Sequence, residues 1–128
     1  MIRGAWYVMG EEIKSYEDLR VWQDAMLLTE KVYVLCSKLP KDELYGLNSQ
    51  MKRSAVSIPS NIAEGSARNN TKELIQFLFI ARGSLAELRT QLALAQRLEL
   101  ASQDQEINEI CDRLSRGLAN LIKSLRKE

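Results

Sequence analysis

The sequence predicts an all-α fold, an antiparallel up-and-down four-helix bundle. Three observations carry that prediction. Apolar residues recur every three or four positions through four long segments, which is the period of a helix face and not of a strand. Capping residues, Pro and Gly fall between those segments. The links are short, so neighbours in sequence become antiparallel neighbours in space. No alternating strand pattern and no internal repeat is visible. A chain of 128 residues fits one domain and is long enough to bury a core without staples.

Residues 1–14 match neither a helical nor a strand template and are expected to form an N-terminal arm or loose tail. Met9 is an alternative start. The bundle domain is residues 15–128. Helix one is expected to begin near Ser15, a cap hydroxyl followed by the acidic Glu17 and Asp18, which complement the helix dipole. Leu19, Trp22, Met26, Tyr33 and Cys36 make one apolar stripe. Val21, Ala25, Leu28, Val32, Leu35 and Leu39 make another beside it, and Pro40 ends the helix.

Helix two follows a link from Lys41 to Leu44, with Gly46 blurring its start. Leu47, Met51, Ala55, Ile58 and Ile62 are its stripe. Pro59 removes the bond to the Ala55 carbonyl and is expected to kink the helix, because the stripe resumes at Ile62. Gly65 reads as its C-terminal stop. Helix three is capped by Asn70, with Glu73 placed as in a capping box, and is expected to run to about Leu100. Helix four is expected to start at Ser102 with Gln105 completing another box. Its stripe is Ile107, Ile110, Cys111, Leu114, Leu118, Leu121, Ile122 and Leu125.

Composition narrows the chemistry. With 18 Lys plus Arg against 17 Asp plus Glu, the net charge of +1 argues against a strongly basic nucleic-acid binder but leaves room for a local patch. There is no His, so the commonest general base and metal ligand is missing. Cys36 and Cys111 lie far apart on apolar faces and read as reduced core thiols. No nucleophile–base pair, metal-ligand spacing or phosphate-cradling Gly loop occurs, so no enzyme, cofactor or metal is expected. No apolar run reaches membrane-span length and no signal peptide stands out, so a cytoplasmic protein is expected.

Leu74, Ile75, Phe77, Leu78, Phe79 and Ile80 point all round helix three and exceed what one bundle face needs. They predict a homo-oligomer interface; the alternative is a core tight enough to cover them. Gln50, Arg53, Ser57, Asn61 and Glu64 form a polar stripe on helix two, either a binding or intersubunit surface or simply the wet face of an amphipathic helix. The Pro59 kink would free carbonyls for a polar side chain to satisfy.

Arg82, Arg89 and Arg97 on helix three, and Arg113, Arg116, Lys123 and Lys127 on helix four, make two basic ridges suited to phosphates. Against that, Glu109 and Asp112 precede Arg113 and Arg116 by four residues and are expected to pair with them. Lys123, Arg126 and Lys127 lack such an acid and make the freest positive patch. Arg68 and Lys72 flank a helix N-terminus that suits an anion, or else a solvated loop.

Several segments occur together and in order: Tyr16-Glu17-Asp18-Leu19 with Val21-Trp22-Gln23; Tyr45-Gly46-Leu47 with Gln50; Ser57-Ile58-Pro59 with Asn61-Ile62-Ala63-Glu64-Gly65; and Phe77-Leu78 with Ala81-Arg82-Gly83-Ser84 and Glu87-Leu88. They resemble the bacterial four-helix-bundle proteins first associated with intervening sequences in 23S ribosomal RNA genes. That group is similar to the accessory variability protein of diversity-generating retroelements. The resemblance covers about Ser15 to Leu100, and helix four matches only by pattern. It implies an antiparallel protomer assembled as a homopentamer, with no catalytic site. In the retroelement branch it implies binding to a reverse transcriptase and nucleic acid through positive surface. The near-neutral charge of this chain departs from that branch, although Lys52-Arg53 keeps positive charge where many relatives have two Arg.

The resulting expectation is a non-catalytic, homo-oligomeric helical adaptor whose partner is RNA or a nucleic-acid enzyme such as a reverse transcriptase. The alternative is a structural or protein-interaction bundle with no nucleic-acid role. Arg53, Arg68 and Lys72, then Lys123, Arg126 and Lys127, are the expected phosphate contacts.

Overall fold

A computed structural model describes residues 6–8, 11–43 and 46–127 of the chain. Met9, Leu44 and Tyr45, used above, lie outside the described residues. Two short strands, β1 (Trp6–Val8) and β2 (Glu11–Ile13), precede four helices: α1 (Arg20–Ser37), α2 (Leu47–Ala67), α3 (Thr71–Arg97) and α4 (Gln105–Arg126).

The helices form a closed ring in which α1 packs on α2 and α4, and α3 on α2 and α4. Every adjacent pair is antiparallel, because partner numbers run in opposite directions along each seam. On α1–α2, Cys36 reaches Asn48 and Thr29 reaches Ala55. On α2–α3, Ser54 meets Glu87 and Ser57 meets Ser84. On α1–α4, Lys31 pairs with Glu106 and Asp24 with Arg113.

One core fills the ring. All eight predicted stripe residues of α4 are buried, as are Leu47, Met51, Ala55, Ile58 and Ile62 of α2. On α1 the two stripes separate. Val21, Ala25, Leu28, Val32 and Cys36 are buried, whereas Met26 and Tyr33 face solvent. Trp22 is half-buried and meets Tyr16 edge to face.

Several expectations are corrected. The N-terminal arm carries strands where none was predicted. β1 and β2 pair antiparallel with Trp6 opposite Ile13, β1 lies beside α4, and Ile13 enters the core at 3% exposure. That buried anchor ties down a segment too short to show a period. Helix one starts later than Ser15. Ser15 Oγ accepts from the Glu17 amide, but it caps a 3-10 turn over Tyr16–Asp18, and α1 begins at Arg20.

Gly65 does not stop α2, which runs on to Ala67. A Cβ there would lie 2.6 Å from Phe77 Cβ and 3.1 Å from Leu74 Cδ1, so Gly65 is where α2 and α3 come too close for a side chain. Helix three ends at Arg97, not Leu100. Glu99 takes φ 60°, Leu100 N–H donates to the Ala95 carbonyl and Glu99 N–H to that of Gln96, which is a Schellman closure. Helix four is capped by Asp104, whose carboxylate accepts from the Ile107 amide at 3.0 Å, in place of Ser102. The Asn70 cap stands where predicted, accepting from the Glu73 amide at 3.0 Å.

α2 passes through Pro59 as one helix. The Ala55 carbonyl, which a Pro at this position cannot serve, lies within reach of a hydroxyl from α1. Thr29 Oγ lies 3.1 Å from it and 2.8 Å from the Ala25 carbonyl, and its single proton serves one or the other. The polar side chain beside the carbonyl opposite Pro59 is Thr29, while Asn61 donates to the Ser57 carbonyl.

Candidate functional site

Two surfaces concentrate chemistry. The first is the outer seam between α2 and α3. The helical period brings Gln50, Arg53, Ser57, Asn61 and Glu64 to one side of α2. Ser54 Oγ donates to Glu87 Oε1 at 3.0 Å, and the Ser57 and Ser84 hydroxyls share a bond of 2.8 Å. Asn61 Nδ2 donates to the Ser57 carbonyl at 2.8 Å and lies 2.9 Å from Ser57 Oγ. These small polar residues let α2 and α3 approach closely, so part of the stripe is a helix–helix seam and not a wet face. Above it opens a groove of about 360 Å³ lined by Gln50, Arg53, Ser54, Ser57, Glu87 and Gln91. Glu64 is drawn away from the groove into a bridge with Arg68.

The second surface is the bundle end where α3 begins and α4 finishes. Phe79 is exposed on α3 and is flanked by two guanidinium groups. Arg82 lies 5.7 Å from the ring centroid and Arg126 of α4 lies 5.2 Å from it, both within cation–π reach. Lys72, Arg82, Lys123, Arg126 and Lys127 have no carboxylate partner among the described residues, and all are exposed.

The other predicted cations are committed elsewhere. Arg68 is held by Glu64 at 3.1 Å and Glu73 at 3.5 Å, and its guanidinium sits 5.0 Å from the Phe77 ring. Asn70 already accepts from the Glu73 amide at that N-terminus. The expected pairs within helix four do not form. Asp112 turns to Arg89 of α3 at 2.8 Å, and Arg113 makes two bonds to Asp24 of α1 at 3.0 and 3.1 Å. The forked guanidinium gains a two-point contact across the seam that a partner four residues away on one helix does not give. The hydrogen bond to Asp24 holds the Arg113 proton more tightly than usual, and Glu106 does the same for Lys31. Arg53 is exposed on the groove edge, far in sequence from the basic end, and no ion pair among the described residues ties it down.

Of the six predicted interface residues, Leu74 and Leu78 are fully buried in the protomer's own core and have no surface to offer another chain. Ile75 and Phe77 are half-buried, and Phe79 and Ile80 are 38% and 50% exposed. Sequence reasoning missed the Phe79–Arg82–Arg126 cluster. The Phe79–Arg82 spacing was legible on α3, but Arg126 arrives only through packing. It also missed Glu87 and Gln91, which lie one helical turn apart on α3 and carry no signal until α2 is set beside them.

Both thiols are buried and unpaired, and burial pushes each above the ordinary thiol value. Among the described residues there is no group of three or more metal-ligating side chains, and no helix is long and apolar enough to cross a membrane.

The sequence profile of the 23S rRNA-intervening sequence protein family matches residues 17–120. No curated protein matches the chain.

Proposed function

Because the chain belongs to the 23S rRNA-intervening sequence protein family, we infer that it works as a non-catalytic, homo-oligomeric adaptor that holds RNA through phosphate contacts. One observation carries this reading. At the end where α3 begins and α4 finishes, Lys72, Arg82, Lys123, Arg126 and Lys127 have no carboxylate partner among the described residues and two of them, Arg82 and Arg126, flank an exposed aromatic ring, while Arg68, Arg89 and Arg113 are neutralised. Free guanidinium and ammonium groups neutralise phosphates, and a ring framed by guanidinium groups offers a face for an unpaired base. A net charge of +1 is compatible with this because the charge is distributed unevenly.

The oligomer follows from apolar surface left over by the core. Met26, Leu27, Tyr33 and Val34 on α1, Val56 on α2, and Ile80, Leu94 and Leu98 on α3 are all exposed. A closed ring, a pentamer by family resemblance, would bury such residues between unlike faces of neighbouring copies. Native mass spectrometry at micromolar concentration is expected to show that closed assembly, and a clean monomer would sink it. A bend of α2 at Pro59 would set how its outer face meets a neighbour.

The RNA reading is tested by fluorescence anisotropy on nuclease-treated protein across a salt series. Affinity is expected to fall linearly on a log–log plot, by about 0.7 in slope for each phosphate neutralised on a single strand. Reversing charge at Arg82 and Arg126, or at Lys123, Arg126 and Lys127, is expected to weaken binding and flatten that slope without unfolding the bundle. Absence of binding at low salt would overturn direct RNA contact. The protein would then be a protein-interaction bundle, with a nucleic-acid enzyme such as a reverse transcriptase as the partner class to try first.

A further inference from the structure

We propose that the outer face of α1 docks on the α2–α3 groove of a second copy of this chain, with Glu30 of one copy paired to Arg53 of the next. This rests on the oligomer reading above and adds which two faces meet and which charges hold them.

The α1 half is a charge inside an apolar frame. The helical neighbours of Glu30 are the residues three and four positions away, Met26, Leu27, Tyr33 and Val34. All four are exposed, from 37% to 56%. Glu30 makes no ion pair among the described residues, and the adjacent Lys31 is held by Glu106. Covering the four apolar side chains strips water from the carboxylate between them. The covering surface must therefore bring a cation.

The groove half carries one. Arg53 is exposed on its edge and makes no ion pair among the described residues. Glu87, the acid of the groove, already accepts from Ser54. Exposed Ile80 and Leu94 lie on α3 to either side of Glu87 along the helix. This half is thus also polar at its centre and apolar at its flanks, with the opposite free charge.

The two halves stand at one height. α1 and α2 are antiparallel, with Thr29 beside Ala55 and Cys36 beside Asn48. Counted from those contacts, Ser57 lies level with Leu27 and Gln50 with Val34. Arg53 lies one residue from the level of Glu30, about 1.5 Å along the axis. The groove, lined on α2 from Gln50 to Ser57, therefore covers the same stretch of the bundle as the α1 patch. The halves also lie on different sides of the protomer, because α1 packs on α2 and α4 while the groove opens between α2 and α3. Each copy then joins two others through unlike faces. With no rise from copy to copy, the assembly closes as a ring and does not climb as a filament.

The test is native mass spectrometry of the full chain at micromolar concentration. Leu27→Glu with Val34→Glu blocks the α1 half, and Ile80→Glu with Leu94→Glu blocks the groove half. All four positions are exposed, and circular dichroism checks the fold. Each double variant is expected to be a monomer. Their equimolar mixture is expected to give a 1:1 dimer, because one intact α1 face then meets one intact groove. Wild-type assembly in either variant overturns the proposal. So does a homodimer of either variant, which would join like faces, and so does a mixture that stays monomeric. A monomeric wild type would instead sink the oligomer reading, and this proposal with it.

The charge pair has its own readout. Glu30→Arg and Arg53→Glu are each expected to raise the subunit dissociation constant at least about tenfold, and the two changes in one chain to bring it back. Losses that simply add in the doubly changed chain overturn the pairing.

Discussion

Replacing Gly65 with Ala is expected to destabilise the bundle, although Ala is the better helix former. The new Cβ would sit 2.6 Å from Phe77 Cβ and 3.1 Å from Leu74 Cδ1. Carbon atoms in good contact lie about 3.5–4.0 Å apart, so roughly 1 Å must be found. Phe77 Cβ is fixed to the α3 backbone and cannot swing aside, so the two helices must separate locally. Overpacking of this kind costs about 1–3 kcal/mol. Removing a Gly from a helix interior returns about 0.5–1 kcal/mol. The net loss should be about 1–2 kcal/mol, or a fall in Tm of roughly 3–12 °C for a chain of this size.

Gly83 is the internal control. It lies in α3 with nothing within 4 Å of its would-be Cβ, so Gly83→Ala is expected to gain about 0.5–1 kcal/mol. Urea and thermal unfolding by circular dichroism, at one fixed protein concentration because an oligomer's Tm depends on it, read both variants. A Gly65→Ala protein as stable as the wild type would refute the close approach. Gly65→Asn separates packing from capping. A left-handed helix stop tolerates Asn better than Ala, whereas a packing limit tolerates it worse.

Three further expectations follow from single observations. Glu99→Gly should stabilise the protein by about 1 kcal/mol, because the Schellman closure holds a side-chain-bearing residue at φ 60°; an unchanged or lower urea midpoint would count against that backbone. Thr29→Val should cost about 1–3 kcal/mol in urea unfolding if the Thr29 hydroxyl donates to the Ala55 carbonyl beneath Pro59; no loss would mean that its proton goes to the Ala25 carbonyl instead. Burial raises the Cys36 and Cys111 thiols above their ordinary value of 9.0, so the folded state keeps protons that the unfolded state releases. Stability from this source is complete below about pH 9 and is lost as pH climbs through the raised folded values. Chemical denaturation from pH 8 to 10.5 should show that decline, reduced in the Cys36→Ala, Cys111→Ala double variant; an identical pH slope in the variant would assign it to other groups.

The local features were legible because each is written within one or two helical turns. The α4 stripe from Ile107 to Leu125 is buried residue for residue, and Asn70 caps α3 as its spacing from Glu73 implies. Where local signals competed, the choice was misread. Ser102 and Asp104 both suit a cap, and Asp104 prevails with its carboxylate on the Ile107 amide. Glu99 carries no stop signal, because the left-handed position that closes α3 usually falls to Gly. At the candidate sites, Arg53, Lys72, Lys123, Arg126 and Lys127 could be named in advance, but which arginines stay unpaired could not. Asp112 had Arg116 within reach on its own helix and chose Arg89 on another.

The sequence by itself determined four helices, the inward faces of α2 and α4, and the family to which the chain belongs. Helical period and side-chain polarity act over distances that the local chain spans. Tertiary structure alone decided the closeness of α2 and α3 at Gly65, the donor for the carbonyl beneath Pro59, the pairing of Arg113 with Asp24, and the meeting of Phe79 with Arg126. Each of these joins atoms from different helices. Such contacts depend on the distance and rotation of whole helices, which the complete core sets and no single segment encodes.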